Sequence, residues 1–170
     1  MLPKLIITDI DGVWTDGGMY YDNKGGNEWK KFNTSDSAGI LFCMALGIEV
    51  AVLTGEDTKI VQRRCDKLGI TELHMGVKNK LKLAQNLCVS RSIELSEVAF
   101  IGDDINDLPL LREVGISGAP SSARTYIQKE VHIVTELKGG EGAFREFVER
   151  ILVQEGKLEE ALAFYVKTIS

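Results

Sequence analysis

Short apolar runs closed by small or acidic residues alternate along this chain with longer stretches in which apolar positions recur at helical spacing. Runs of the first kind, bounded by turn residues, read as buried strands, and stretches of the second kind read as amphipathic helices. The pattern predicts strands near 4–9, 49–54, 71–75, 98–102, 115–118 and 131–134, and helices near 36–46, 57–68, 78–91, 106–113, 121–129 and 141–153. In the helix at 57–68, Ile60, Val61, Cys65 and Leu68 share a face and Gly69 supplies the stop. A last helix from Lys157 to Lys167 has an apolar stripe, Leu158, Ala161, Leu162 and Tyr165, that calls for a neighbour in this chain or in another subunit. Strands alternating with helices imply right-handed crossovers. The expected fold is therefore α/β, a Rossmann-like, mainly parallel sheet with helices on both faces. Val13 to Asn33 breaks the alternation with aromatics separated by Gly and Asn, which predicts a β-hairpin with its tip near Asn23 to Gly26. One domain over 1–170 is expected, with a hairpin flap at about 13–33 and a C-terminal helix at about 156–168.

The ends of the predicted strands hold the chemistry. Leu5-Ile6-Ile7-Thr8 runs into Asp9-Ile10-Asp11-Gly12, and residues two apart in extended chain point the same way. Asp9 and Asp11 therefore face one cleft, where two carboxylates ask for a cation such as Mg²⁺. A strand end closed by turn-forming Asp and Gly would look the same. Val98 to Gly102 delivers a second cluster, Asp103-Asp104-Ile105-Asn106-Asp107. An acidic helix N-terminus explains one or two of these residues but not the set. Ligands bind at the carboxyl ends of such strands. Glu49 to Leu53 leads into Thr54-Gly55, a hydroxyl and a turn that can hold phosphate oxygens or begin a helix. Lys80 can neutralise phosphate or lie in solvent.

With 170 residues, 44% hydrophobic, there is chain enough for a substantial core and no apolar run of membrane-spanning length. A net charge of -5 argues against nucleic acid as a partner. Met1-Leu2-Pro3-Lys4 leads directly into a strand without a secretory signal, and Cys43, Cys65 and Cys88 read as reduced thiols, so a cytoplasmic location is expected. His74 and His132 fall outside the acidic edge and read as structural.

In this order, Asp9-Ile10-Asp11-Gly12, Thr54, Lys80 and Gly102-Asp103-Asp104-x-x-Asp107 resemble the four motifs of the haloacid dehalogenase-like phosphatases. The resemblance implies that Asp9 is a nucleophile forming an aspartyl-phosphate. Asp11 would be the acid and then the base, and would offer its backbone carbonyl to Mg²⁺. Asp103 would complete the metal ligands. Asp104 and Asp107 would orient the metal's waters and Lys80, while Thr54 and Lys80 hold the transferring phosphoryl. No insertion large enough for a cap domain lies between Gly12 and Thr54 or between Gly55 and Gly102.

The chain is further similar to the uncapped subgroup acting on 3-deoxy-2-keto sugar acid phosphates, the KDO 8-phosphate phosphatases and their nine-carbon relatives. The matching stretches are Asp9 to Gly17, Phe32-Asn33 with Asp36, Thr54-Gly55, Gly102 to Pro109 and Gly139 to Glu146, within about residues 3–153. This implies a homotetramer with the active site at a subunit junction. It also leaves Gly139 to Gly142 either a substrate loop or a flexible connection. Glu56 stands where the KDO 8-phosphate enzymes usually have Arg, and Glu141 where they usually have a basic residue. A glutamate repels a carboxylate and accepts hydrogen bonds from hydroxyls or an amine. The expected substrate is thus a nine-carbon acid, KDN 9-phosphate and then N-acetylneuraminate 9-phosphate, with KDO 8-phosphate the alternative. Thr54, Gly55, Glu56 and Lys80 are the expected substrate contacts, joined by Arg64 and Lys67, which share a helix face. A phosphotransferase or phosphomutase, a receiver domain and a non-catalytic regulatory or oligomerisation domain remain alternatives of other classes.

Overall fold

The computed structural model describes residues 1–23, 25 and 28–169. In chain order the elements are β1 (Leu5–Thr8), β2 (Tyr20–Tyr21), β3 (Glu28–Trp29), α1 (Asp36–Ala45), β4 (Glu49–Leu53), α2 (Lys59–Leu68), β5 (Glu72–His74) and α3 (Lys80–Arg91). They continue with β6 (Val98–Ile101), α4 (Leu108–Leu111), β7 (Ile116–Ala119), α5 (Thr125–Gln128), β8 (Ile133–Val134), α6 (Ala143–Gln154) and α7 (Leu158–Ile169). A 3₁₀ turn at Leu95–Glu97, not foreseen from the sequence, precedes β6.

Six strands form one parallel sheet in the order β5-β4-β1-β6-β7-β8. The central strands are continuous apolar runs because both faces are covered. Alternation splits them cleanly. Ile6, Val52, Ala99 and Ile101 join Ile40, Val61, Cys65, Phe144, Phe147 and Ala161 on one side. Leu5, Ile7, Ala51, Leu53, Val98 and Phe100 join Ala84, Leu87, Leu110 and Ile127 on the other. Each such fully buried Ile, Leu or Phe contributes about 1.5–3 kcal/mol of transfer free energy. The chain leaves β1 towards β4 and β5, then crosses to β6, β7 and β8. The topological switch therefore lies between β1 and β6, where ligand sites form in open α/β sheets.

Helices α1 and α6 pack closely. A Cβ at Gly39 would lie 2.9 Å from Phe144 Cε1, so only glycine permits this approach. The buried Asp36 accepts a hydrogen bond from Arg145 N at 3.2 Å and so caps α6 from another helix. Burial pushes its carboxyl up to about 6, against that bond and the nearby Arg64.

Several boundaries are shorter than the periodicity predicts, and local hydrogen bonding explains them. The α2 helix begins at Lys59 rather than 57 because Thr54 Oγ1 accepts from Glu56 N and Thr54 O from Val77 N, which hold 54–56 in a loop. The α4 helix begins at Leu108 because the Asp107 carboxylate binds the amides of the preceding turn. The hairpin exists but is short, pairing Tyr20 with Trp29 and Tyr21 with Glu28. Its tip was expected at Asn23 to Gly26, of which residues 24 and 26 lie outside the described residues. Tyr20, Tyr21 and Trp29 are exposed. On α7, Leu158 and Ala161 pack inward, whereas Leu162 and Tyr165 point largely outward. No helix among the described residues is long and apolar enough to cross a membrane.

Candidate active site

Parallel register brings three strand ends to one edge. Asp9 follows β1, with Asp9 N donating to Ile101 O at 3.0 Å; Thr54 follows β4, with Thr54 N donating to His74 O at 3.0 Å; and Asp103 follows β6 after Gly102. The end of β1 is pinned from beneath. The fully buried Trp14 donates from Nε1 to Thr8 Oγ1 at 2.9 Å, and Thr8 Oγ1 donates to Asp9 O at 2.7 Å.

The Asp9 carboxylate accepts from Ile10 N at 2.7 Å through Oδ1 and meets Lys80 Nζ at 2.7 Å through Oδ2. Lys80, buried at the start of α3, donates also to Asp107 Oδ1 at 2.6 Å. Asp107 Oδ2 accepts from Asp103 N at 3.0 Å and Asp104 N at 3.2 Å. Lys80 is thus aimed by two carboxylates, as an isolated lysine in solvent would not be. Ligand oxygens of Asp9, Asp103 and Asp107 all lie within 4.8 Å of one another. Asp107 is committed to Lys80 and two amides and does not line the cavity, whereas Asp9 and Asp103 both do, so these two are the pair placed to hold a cation.

The electrostatics agree. Burial pushes the Asp9 carboxyl up to about 7, with Lys80 opposing the rise and Asp107 adding to it. Burial pushes Asp103 up to about 8, and the charges of Asp9, Asp107 and Asp104 push the same way. Burial works against the Lys80 ammonium, but Asp9 and Asp107 outweigh it and raise its pKa. Such crowding of acidic groups is relieved by a divalent cation among them.

Two glycines make the crowding possible. A Cβ on Gly12, whose φ is +80°, would stand 1.9 Å from Asp103 Oδ2. A Cβ on Gly102 would stand 2.5 Å from Asp107 Cγ.

The cavity over this edge holds about 330 Å³ and is lined by Asp9, Asp11, Thr54, Gly55, Glu56, Asp103 and Asp104, together with Gly17, Met19 and Asn106. Glu56, expected at the substrate, does reach its wall. Gly55 and Thr54 line it too, although no helix starts there, so the backbone rather than a helix end faces a ligand. Asp104 lines the cavity with its Oδ1 accepting from Ile105 N at 2.8 Å; of the two residues expected to orient the metal's waters and Lys80, Asp107 is the one bonded to Lys80.

Two further expectations are corrected. Arg64 does not reach the cavity of its own chain. Its Nη2 donates to Asn33 O and to Ser37 Oγ, both at 3.1 Å, and its guanidinium lies over Phe32. Lys67, three residues on, is exposed and likewise does not line the cavity. Gly139 to Gly142 is no loose connection, and it does not line the cavity of its own chain. A Cβ on Gly139 would stand 1.9 Å from Gly12 O, Gly140 N donates to Val13 O at 3.0 Å, and Asn33 Nδ2 donates to Gly140 O at 3.1 Å. The segment braces the loop after β1 from behind. His74 pairs with Glu72, and His132 Nδ1 faces Ser117 N and Oγ; neither histidine lines the cavity.

Two residues were missed. Thr15 is fully buried and its Oγ1 donates to Asp11 Oδ1 at 3.2 Å. Lys30, after β3, places its Nζ 2.6 Å from Asp11 Oδ2. The only signal was a lysine repeated in Trp29-Lys30-Lys31-Phe32, which does not say which lysine turns inward.

Comparison with known proteins places this arrangement. Residues 67–146 match the model of the haloacid dehalogenase-like hydrolases. The chain is 41% identical over 158 residues to the 3-deoxy-D-manno-octulosonate 8-phosphate phosphatase KdsC of Escherichia coli K12, covering 93% of this chain and 84% of that protein. It superposes on the enzyme of that name from Moraxella catarrhalis, crystallised with magnesium, phosphate and KDO, with a TM-score of 0.91 at 33% identity, covering 96% of this chain and 93% of that one. The cobalt-bound Haemophilus influenzae phosphatase gives a TM-score of 0.85 at 39% identity, covering 91% and 90%. From motif order, sheet topology and kinship together, this chain belongs to the family of haloacid dehalogenase-like phosphatases that includes the KdsC enzymes.

Proposed function

We propose that the chain hydrolyses the phosphomonoester of a 3-deoxy-2-keto sugar acid through an aspartyl-phosphate on Asp9. The observation that carries this reading is the cluster of Asp9, Asp103 and Asp107 oxygens within 4.8 Å, with Lys80 bonded to Asp9 and Asp107. Asp9, Asp103 and the Asp11 backbone carbonyl would hold Mg²⁺, an ion that suits a hard oxygen site. When bound, Mg²⁺ offsets charge on the phosphate so that a carboxylate can approach it.

The residues then divide the work. Asp9 attacks phosphorus, and Lys80 and Thr54 hold the oxygens of the group in transfer. Asp11 gives a proton to the leaving alcohol, then takes one from the water that opens the acyl phosphate. Asp107 keeps Lys80 aimed, since it binds the ammonium and two backbone amides at once.

Kinship with enzymes named for KDO 8-phosphate supports the eight-carbon ester as substrate. It gives the nine-carbon expectation no specific support. One observation still favours a nine-carbon acid as a second reading: Glu56 lines the cavity, where it would accept hydrogen bonds from a polyol. A homotetramer with the active site at a subunit junction is part of the proposal, supported by the likeness to the uncapped subgroup; in it Arg64 and Lys67 would meet substrate bound by a neighbouring copy. Phosphate release from KDO 8-phosphate, KDN 9-phosphate and N-acetylneuraminate 9-phosphate, with Mg²⁺ and with chelator, decides among these. Asp9→Asn should abolish turnover. Retained turnover in that variant overturns the covalent mechanism.

A further inference from the structure

Lys30 does not line the cavity, so it cannot act on phosphate directly. Its side chain is 0% exposed, and its ammonium nevertheless faces Asp11 Oδ2 at 2.6 Å, with Glu28 Oε1 farther off at 3.5 Å. Desolvating an ammonium is costly, and this one is offset by a carboxylate that lines the cavity. The neighbouring Lys31 instead lies in solvent, 67% exposed and 3.6 Å from Asp16. Of the two adjacent lysines Lys30 is the one turned in, and the shorter of its two ion pairs is with a side chain nineteen residues earlier.

We infer that Lys30 is a positioning residue for the acid–base group Asp11, and that it couples the hairpin to proton transfer. The two oxygens of Asp11 are held unequally. Oδ2 is anchored by a charged donor at 2.6 Å, and Oδ1 by the Thr15 hydroxyl at 3.2 Å. Thr15 Oγ1 is also shared with Gly17 N at 3.2 Å and Gly12 N at 3.4 Å. The less tightly held Oδ1 is the oxygen available to exchange a proton, with Lys30 fixing the carboxyl about the other. Lys30 itself is placed by the pairing of Tyr20 with Trp29, because it directly follows that strand. Strand register in the hairpin therefore sets the geometry of the acid.

This rests on the aspartyl-phosphate reading. In the first step an Asp9 oxygen bonds to phosphorus as the bond from phosphorus to the alcohol oxygen breaks, and that oxygen takes a proton from the Asp11 carboxyl. A nitrophenolate leaves without the proton, whereas a sugar alkoxide does not. The test is therefore the ratio of kcat/KM for KDO 8-phosphate to kcat/KM for p-nitrophenyl phosphate, with Mg²⁺ present. Both values report the step up to the phospho-enzyme.

In Lys30→Met, which keeps the apolar stem, kcat/KM on the sugar ester should fall about 100-fold and on the aryl ester less than about threefold. Lys30→Arg should restore most of the ratio, and Lys30→Gln supplies the same comparison should the methionine variant not fold. Equal losses on both esters, or no loss on either, overturn the inference, since a hairpin that merely supports the fold cannot tell leaving groups apart. A wild-type protein that releases no phosphate from either ester would instead overturn the underlying reading.

Discussion

Gly12→Ala tests how tightly the metal edge is built. The new Cβ would stand 1.9 Å from Asp103 Oδ2, 2.3 Å from its Cγ and 2.7 Å from Oδ1. Neither side can yield cheaply, because Gly12 is braced from behind by Gly139 and Asp103 is held by its amide to Asp107. The carboxylate must retreat by about 1 Å to escape, and a displacement of about that size at a reacting centre costs about 100-fold in rate. The backbone adds its own cost: φ is +80°, and a side chain in the left-handed region costs about 1–2 kcal/mol. For a chain of this length that lowers Tm by roughly 3–6 °C. Gly47→Ala separates the two effects, since Gly47 has φ +68° and nothing within 4 Å of its added Cβ. Gly47→Ala should show the backbone cost alone, whereas Gly12→Ala should lose more stability through the added clash and, unlike Gly47→Ala, should lose activity and require more Mg²⁺ for half-maximal turnover. Steady-state kinetics across a Mg²⁺ titration, with thermal unfolding alongside, measure this. Unchanged Mg²⁺ dependence and full kcat in Gly12→Ala would refute the shared-ion geometry.

Other outcomes follow from the same contacts. In metal-free protein, Asp9 and Asp103 have folded pKa values near 7 and 8 against 3.8 unfolded. Their favourable contribution is thus complete below pH 3.8 and is lost as pH rises through 7 to 8. Mg²⁺ should reverse the trend, its stabilisation of the fold growing over that window, as urea unfolding at fixed pH values with and without the ion would read. Lys80→Met leaves two buried carboxylates facing each other, so activity should vanish and stability fall by about 3–5 kcal/mol in denaturant titration. Trp14→Ala empties the space beneath β1 and removes the bond to Thr8, and should cost about 3–5 kcal/mol by the same measurement.

The sheet was readable because its central strands are buried on both faces and end in residues no core tolerates. Asp9, Thr54 and Asp103 announce a strand end by chemistry as well as by pattern. Lys80 was legible only through its place in the motif order, because nothing local in Gly76 to Lys80 says that the ammonium turns inward between Asp9 and Asp107. Lys30 was illegible for the same reason. A two-residue strand has too little periodicity to reveal its faces, and its partner lies far away in the chain. The surroundings of Arg64 were not legible, because helical spacing predicts which residues share a face, not what that face meets. Here it meets Asn33, Ser37 and Phe32. The role of Gly139 and Gly140 depends on close approach between segments remote in sequence, and no local pattern encodes that.

That bracing has a consequence for biosynthesis. Asp9 leaves the ribosome well before the backbone that shores up the loop following it, at Gly139 and Gly140. Domains fold as units while the chain emerges. A nascent polypeptide stalled before position 139 therefore has every acidic group of the cluster without the segment that braces the loop after β1, so the acidic edge is completed only once Gly139 and Gly140 have been made.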